Sequence, residues 1–307
     1  MKLTLPSTPD NPRIAFFGID CHLTHCILNG LLKGGANIAG MMLPGPPGVE
    51  LPVPVHNTRT TIPLMNSVAT SPGVVDTLRQ HHIPAFRLGN LRSQEAADTL
   101  LSFNANVLVC ACFPYNIPRT LTDLFPGRAA NIHPSFLPDK RGPDPLFWTF
   151  REGTGRSGVT IHELSPRFDA GAILSQLTHT YSDGTTEHEL EKSLASLAVE
   201  MTLELIPQVV LGDVQPRQQY EPLATHAQWP QAADFRLNPT MSARAAFNFV
   251  RGIQGRGVPI PIEHQGVDVT VVEAIRFVTR PTSVENGAAA LEFADGYLVA
   301  RIQPGVE

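Results

Sequence analysis

Two short polar clusters interrupt an otherwise apolar pattern in this chain. The first is Asn131-Ile-His133, at the end of Ala129-Ala-Asn-Ile-His-Pro134. Residues i and i+2 of an extended strand point to one face, so the Asn131 carboxamide and the His133 imidazole are expected side by side. That pair suits acyl transfer: a carboxamide N–H can donate to an oxygen gaining negative charge, and an imidazole can shuttle protons. The second cluster, Arg167-Phe-Asp169-Ala-Gly171, places a carboxylate just ahead of an apolar stretch. An Asp beside a His fixes the ring and favours imidazolium. By spacing alone, an Asn-x-His pair equally describes a strand end whose polar groups satisfy only backbone and water.

The elements that must carry these residues alternate. Arg13–Gly18, Asn37–Leu43, Pro84–Leu88, Val107–Phe113 and Ala129–Pro134 read as short apolar strands. Between them, helices are expected over Leu23–Lys33, from an N-terminal Ser71-Pro72 to His81, and from Ser93 to near Phe103. Strands alternating with helices predict an α/β fold with a doubly wound, mostly parallel sheet, whose ligands sit outside the C-terminal strand ends. The stretch Pro44–Ser71 holds prolines 44, 46, 47, 52, 54 and 63, so a long loop without regular elements is expected there. Val159–Leu164 and Ala172–Thr180 extend the sheet, and Thr186 with Glu189 opens a long helix running to Leu205. Phe147, Trp148 and Phe150 fall in a helix after Gly142 and read as core.

Past Leu211 the character changes. These signals predict a first domain over 1–211, a polar, proline-bearing linker over 212–230, and a smaller β-rich domain over 231–307. The last begins with a helix, Ser242–Ile253, and continues through hairpins turning at His264-Gln-Gly266 and Asp295-Gly296.

The 307 residues carry 23 basic and 28 acidic side chains, for a formal charge of -5, with 42% hydrophobic residues. That excludes a strongly basic, nucleic-acid-like surface at the level of the whole chain. Met1–Pro12 has no apolar segment of the kind a secretion signal needs. The apolar run Ala105–Phe113 is far short of the roughly 18 residues of a membrane span. Four cysteines (21, 26, 110 and 112) make no disulfide framework in a chain of this length, and a reducing cytoplasm follows as the expectation. Cys21, His22, His25 and Cys26, with Cys110 and Cys112, match no zinc spacing and read as structural thiols, with Cys21 near Cys112. Gly18-Ile-Asp-Cys21 lacks both glycine-rich phosphate-loop patterns, so neither a dinucleotide nor ATP is expected.

Three motifs in order, Asn131-Ile-His-Pro-Ser-Phe-Leu-Pro-x-x-Arg-Gly142, Gly158-Val-Thr-Ile-His162 and Phe168-Asp-Ala-Gly-Ala-Ile-Leu174, resemble the folate-dependent formyltransferases. That family includes methionyl-tRNA formyltransferase, sugar-nucleotide N-formyltransferases and the 10-formyltetrahydrofolate hydrolase domain. The resemblance runs from Arg13 to about Leu211 and, more weakly, through Met241–Arg251 to Phe277. It implies a Rossmann-like catalytic domain followed by an OB-like barrel. It also implies 10-formyltetrahydrofolate as co-substrate and a triad of Asn131, His133 and Asp169. In that triad Asn131 donates to the oxyanion, a protonated His133 donates and then passes a proton to the leaving N10, and Asp169 holds His133 and raises its pKa. Cys112, Phe113, Pro114, Tyr115, Asn116 and Ile117 match the loop that holds the pterin. Ser135 to Gly142 match the loop beside the active site, with Ser135 among the co-substrate contacts. The chain departs from the family at Phe136, at Asp139-Lys140 and at Phe113-Pro114-Tyr115.

The acceptor is weighed from charge. Pro44–Ser71 carries one basic residue, Arg59, and one acid, Glu50. Only four lysines occur in the chain (Lys2, Lys33, Lys140 and Lys192), and from Asp234 to Glu307 seven arginines face eight acids. Phosphate contacts need cations, so an amine smaller than tRNA is the expected acceptor, although Arg244, Arg251 and Arg256 could line one face. The alternatives are a methionyl-tRNA formyltransferase proper, and a module that hydrolyses or merely carries formyl-folate.

Overall fold

The computed structural model describes residues 11–46, 51–55, 73–281, 283–284 and 287–304. Most of the expected Pro44–Ser71 loop and the expected Ser71-Pro72 helix start lie outside the described residues, as do residues 1–10.

The chain divides into two compact units: Met1–Gly142, Gly158–Leu177 and Glu191–His226 in one, and Pro143–Ser157, Thr178–Leu190 and Ala227–Glu307 in the other. The units interleave along the chain where the sequence suggested cuts at 211 and 231.

The first unit is built on an eight-stranded sheet. Its elements are β1 (Arg13–Phe17), α1 (His22–Lys33), β2 (Asn37–Pro44), β3 (Val53–Pro54), α2 (Val74–Gln80), β4 (Ala85–Leu88) and α3 (Gln94–Ser102). They continue with β5 (Val107–Ala111), α4 (Arg119–Thr122) and β6 (Ala129–His133). Beyond α5 (Pro145–Glu152) come β7 (Arg156–Glu163), β8 (Ile173–Thr180) and α6 (Glu187–Leu211). The strand order is β3-β4-β2-β1-β5-β6-β7-β8. The central pairs β4-β2, β2-β1, β1-β5 and β5-β6 are parallel, while β3-β4 and β6-β7 are antiparallel. Parallel strands are covered on both faces and read as continuous apolar runs; β5, Val-Leu-Val-Cys-Ala, is buried at every residue.

One expectation needs correction. A two-residue strand, β3, survives inside the proline-rich stretch, because Pro54 lies on an edge where its missing N–H costs no ladder bond. The described start of α2 is capped from a distance: Asp20 Oδ1 accepts the Val74 N–H at 2.9 Å, with Gly73 at the N-cap.

Thr186 and Glu189 form the expected capping box on α6: the Glu189 carboxylate accepts the Thr186 N–H at 2.8 Å and the Thr186 hydroxyl accepts the Glu189 N–H at 3.3 Å. With 25 residues, α6 is apolar enough by length and composition to cross a membrane, but 56% of its apolar 18-residue portion is buried inside the protein. Leu194, Ala198 and Met201 are core residues. In the first unit α1 and α6 approach closely at glycine: a Cβ on Gly30 would lie 2.6 Å from Val199 Cγ2.

The second unit contains α5, α7 (Ala243–Ile253), β9 (Ile260–His264), β10 (Val267–Val278), β11 (Ala288–Phe293) and β12 (Gly296–Pro304). Its strands form one antiparallel sheet in the order β11-β12-β10-β9. No barrel closure appears among the described strand pairings. Gln265 and Gly266, both at positive φ (53° and 79°), make the β9–β10 turn. The fully buried rings of Phe147 on α5 and Phe249 on α7 meet edge-on, 5.5 Å apart, which explains why the 143–157 segment groups with C-terminal residues. Arg244 and Arg256 are neutralised within this unit, Arg244 by Asp183 (2.8 Å), Arg256 by Asp144 (2.6 Å) and Glu187.

Candidate active site

The catalytic candidates sit at the C-terminal end of β6. Its register places Asn131 opposite Cys110 of β5 and opposite His162 of β7, and His133 opposite Thr160 of β7. Asn131 Nδ2 therefore reaches across the ladder to His162 Nε2, at 3.1 Å. The His162 Nδ1–H bonds the Glu163 carbonyl at 2.8 Å, so Nε2 carries the lone pair that accepts from Asn131. The second N–H of Asn131 points to Asp169 Oδ1, at 3.2 Å.

Asp169 arrives on a tight turn between β7 and β8. It adopts a left-handed conformation, φ 51°, uncommon outside glycine. Two residues on, Gly171 passes so near β7 that a Cβ would lie 1.8 Å from the Glu163 carbonyl oxygen. Asp169 Oδ2 accepts the Gly142 N–H at 2.8 Å, and Oδ1 stands 3.4 Å from His162 Nε2 and 3.6 Å from His133 Nδ1. Burial works against its charge, but the attraction of His133 and His162 in their protonated forms, with the Gly142 N–H, holds this carboxyl well below the usual carboxylate range.

His133 is buried, 5% exposed. A carbonyl only accepts, so the 2.7 Å contact with Lys140 O places a proton on His133 Nε2 and leaves Nδ1 facing Asp169. Burial pushes the imidazole below the ordinary histidine range, and the attraction of Asp169 only partly offsets it. Asp169 raises the His133 pKa as expected, but desolvation outweighs one carboxylate at 3.6 Å, so the protonated resting His133 expected from the resemblance is corrected. The resting imidazole is neutral at pH 7.

Beside this group lies a cleft of about 360 Å³, counting its open mouth. Of the predicted pterin-loop residues, Phe113, Tyr115, Asn116 and Ile117 line it, whereas Cys112 and Pro114 do not; of the other predicted site residues, Asn131 and Asp169 line it, whereas Ser135 and His133 do not. Ser135 instead braces its own loop, its hydroxyl donating to the Asp139 carbonyl at 2.7 Å. Cys112, at φ 56°, shares a side-chain hydrogen bond with Cys21 that pushes the Cys112 thiol up and the Cys21 thiol down.

The remaining lining residues, Cys110, His162, Leu164, Ser165, Arg167 and Phe168, carry no site role in the sequence reading. His162 ends the Gly158–His162 motif, and Phe168 directly precedes Asp169. The walls combine flat aromatic surface with a few polar groups, as a ring-bearing ligand requires.

A family model described as formyl transferase matches residues 58–206. Methionyl-tRNA formyltransferase of Geobacillus sp. is 28% identical over 233 residues, covering 75% of this chain and 72% of that protein. Among solved structures, an N-formyltransferase from Helicobacter canadensis, in complex with folinic acid and dTDP-3-aminofucose, superposes with a TM-score of 0.64. It is 12% identical and covers 94% of this chain and 98% of that one. HypX from Aquifex aeolicus in complex with tetrahydrofolic acid gives a TM-score of 0.60 at 16% identity. There the match covers 95% of this chain but only 44% of HypX.

Proposed function

The chain carries a formyl transferase domain of the folate-dependent formyltransferase family, and from that premise we propose that it moves a formyl group from 10-formyltetrahydrofolate to a primary amine. The observation that carries the reading is the convergence of Asn131, His133 and Asp169, with Asn131 and Asp169 on the wall of an aromatic-lined cleft.

The residues present suit such a donor. Phe113, Tyr115 and Phe168 offer faces for a fused ring, and Asn116, Ser165 and Arg167 offer polar edges. Folinic acid and tetrahydrofolic acid occupy the similarly folded proteins above. When bound, the donor supplies an electrophilic formyl carbon on N10.

The amine nitrogen bonds to that carbon and the bond to N10 breaks. Asn131 exchanges its N–H bond to Asp169 for the formyl oxygen as negative charge gathers there; one such donor typically contributes about 10²–10³ in rate. His133, neutral at rest, takes the proton shed by the attacking amine at Nδ1 and returns it to N10. This step is worth on the order of 10²–10⁴. Asp169, held ionised, stabilises the imidazolium while it exists.

Two acceptors compete. The Geobacillus relative is a methionyl-tRNA formyltransferase, which favours methionyl-tRNA. The Helicobacter structure holds an aminated nucleotide sugar, and the acidic balance of this chain favours a small amine of that kind. The deciding experiment incubates the full chain and 10-formyltetrahydrofolate separately with methionyl-tRNA and with dTDP-amino sugars. Product mass reads the acceptor; formate release with neither acceptor present means hydrolysis. Persistence of formyl-folate in every arm removes the proposal.

A further inference from the structure

The segment after α6, read from sequence as a linker, is bonded to both loops that carry the candidate site. At its start Arg217 and Ile173 exchange backbone bonds at 2.8 and 2.7 Å. At its end Thr225 holds the loop after β6: its carbonyl accepts the Arg141 N–H (3.0 Å), its hydroxyl oxygen accepts the Lys140 N–H (2.7 Å), and its N–H donates to Pro138 O (3.2 Å). Between these points lies Gln219, 9% exposed, with its amide fully used. Its Oε1 accepts from Arg141 Nε (3.0 Å) and Nη2 (2.7 Å), and its Nε2 donates to the main-chain oxygens of Asp169 (2.7 Å) and Gly171 (2.8 Å). Arg141 is itself 2% exposed and anchored on Glu221 at 2.9 Å.

We propose that Gln219 is a positioning residue for formyl transfer, holding the Asp169 main chain so that its carboxylate meets Asn131, His133 and the Gly142 N–H. The inference rests on the function proposed above. It lies outside the family match, which ends at residue 206.

The physical argument is one of strain and donors. Asp169 sits at φ 51°, a conformation that persists only where surroundings impose it. The two bonds from Gln219 fall on the carbonyls of Asp169 and Gly171, on either side of the bend. A carboxamide is the side-chain group that can accept two bonds from a guanidinium at one end and donate two to carbonyls at the other. Glutamate at this position keeps the first function and loses the second. Misplacing a catalytic group by about 1 Å can cost on the order of 10² in rate.

The test compares Gln219→Leu, Gln219→Glu, Asp169→Ala and the Asp169→Ala/Gln219→Leu double variant in the full chain. The donor is 10-formyltetrahydrofolate, and the acceptor is methionyl-tRNA or a dTDP-amino sugar, whichever the unaltered protein formylates. Both Gln219 variants are expected to lose about 10²-fold in kcat. The acid limb of the kcat profile should move to lower pH, because a displaced Asp169 no longer supports imidazolium at His133. The Gly142 amide, freed from the Asp169 carboxylate, should exchange its hydrogen at least about 10-fold faster. The double variant should be no slower than Asp169→Ala, since both act through one carboxylate.

A loss of folded fraction alone would lower kcat while leaving the pH profile unmoved, which overturns the proposal. So does a multiplicative double variant, or unchanged Gly142 protection in Gln219→Glu. If Asp169→Ala is itself fully active, the proposed function has failed, and the role of Gln219 falls with it.

Discussion

The Asn131 carboxamide and the Asp169 carboxylate are hydrogen-bonded across 38 residues of chain, at 3.2 Å, and His162 Nε2 takes the other Asn131 N–H at 3.1 Å. An amide clamped between two acceptors cannot flip without turning its oxygen toward a carboxylate. The amide plane is thus fixed before any ligand arrives, and the N–H now given to Asp169 is the one that would pass to the formyl oxygen.

Asn131→Ala is therefore expected to lower kcat by about 10²–10³. Asn131 is only half-buried, so the melting temperature should change little. Steady-state kinetics beside a thermal melt checks both parts. Asn131→Asp should be at least as damaging, because it removes the N–H donors and sets a second carboxylate against Asp169.

The pH dependence follows from His133. Its pKa in the folded protein lies below the ordinary 6.5, chiefly through burial. Folding then favours the neutral ring, so its contribution to stability is complete above pH 6.5 and is lost as pH falls through the folded-state value. A His133→Gln variant should show a smaller loss of melting temperature than the unaltered protein between pH 6.5 and 5. Formyl transfer, which needs the neutral ring as base, should be flat above pH 7 and decline on the acid side. A rate that instead rises as pH drops below 6.5 would contradict the assignment.

Gly171→Ala isolates the turn. The added Cβ would stand 1.8 Å from the Glu163 carbonyl oxygen, a backbone atom that cannot swing aside. Overpacking of this kind typically costs about 1–3 kcal/mol, and here the strain falls on the turn that presents Asp169. Lower melting temperature and lost activity are expected together. Gly255→Ala, with nothing within 4 Å of the added atom, is the control and should leave both within error.

Much of this was legible in the chain. The apolar strands, the helix starts at Ser93, Thr186 and Ser242, and the Asn-x-His face of β6 all follow from period, propensity and local hydrogen bonding. What escaped depends on contacts with no local signature. Gln219 lies in a polar stretch without periodicity, and its partners Arg141, Asp169 and Gly171 are 48 to 78 residues away. The His133 shift has the sign of burial, and burial is a property of the packed molecule, not of the motif. His162 gains its place beside Asn131 from the antiparallel register of β6 and β7, where alternating strands alone gave no pairing.

The aromatic wall supplies the last prediction. Phe168 lines the cleft yet is 56% exposed, so its ring contributes little to the core. A bound ring system would cover it. Losing a stacked aromatic removes apolar burial plus about 0.5–1.5 kcal/mol of ring–ring contact, which corresponds to roughly a 5- to 30-fold weaker fit once the area lost is included. Such binding is shared by the ground and transition states, so it appears in KM rather than kcat. Phe168→Ala is expected to raise the KM for 10-formyltetrahydrofolate by that factor, with kcat within about 3-fold and the melting temperature unchanged. Donor titrations at saturating acceptor measure it. An unchanged KM would mean that the folate ring lies elsewhere, and the cleft beside Asn131 would lose its place in the mechanism.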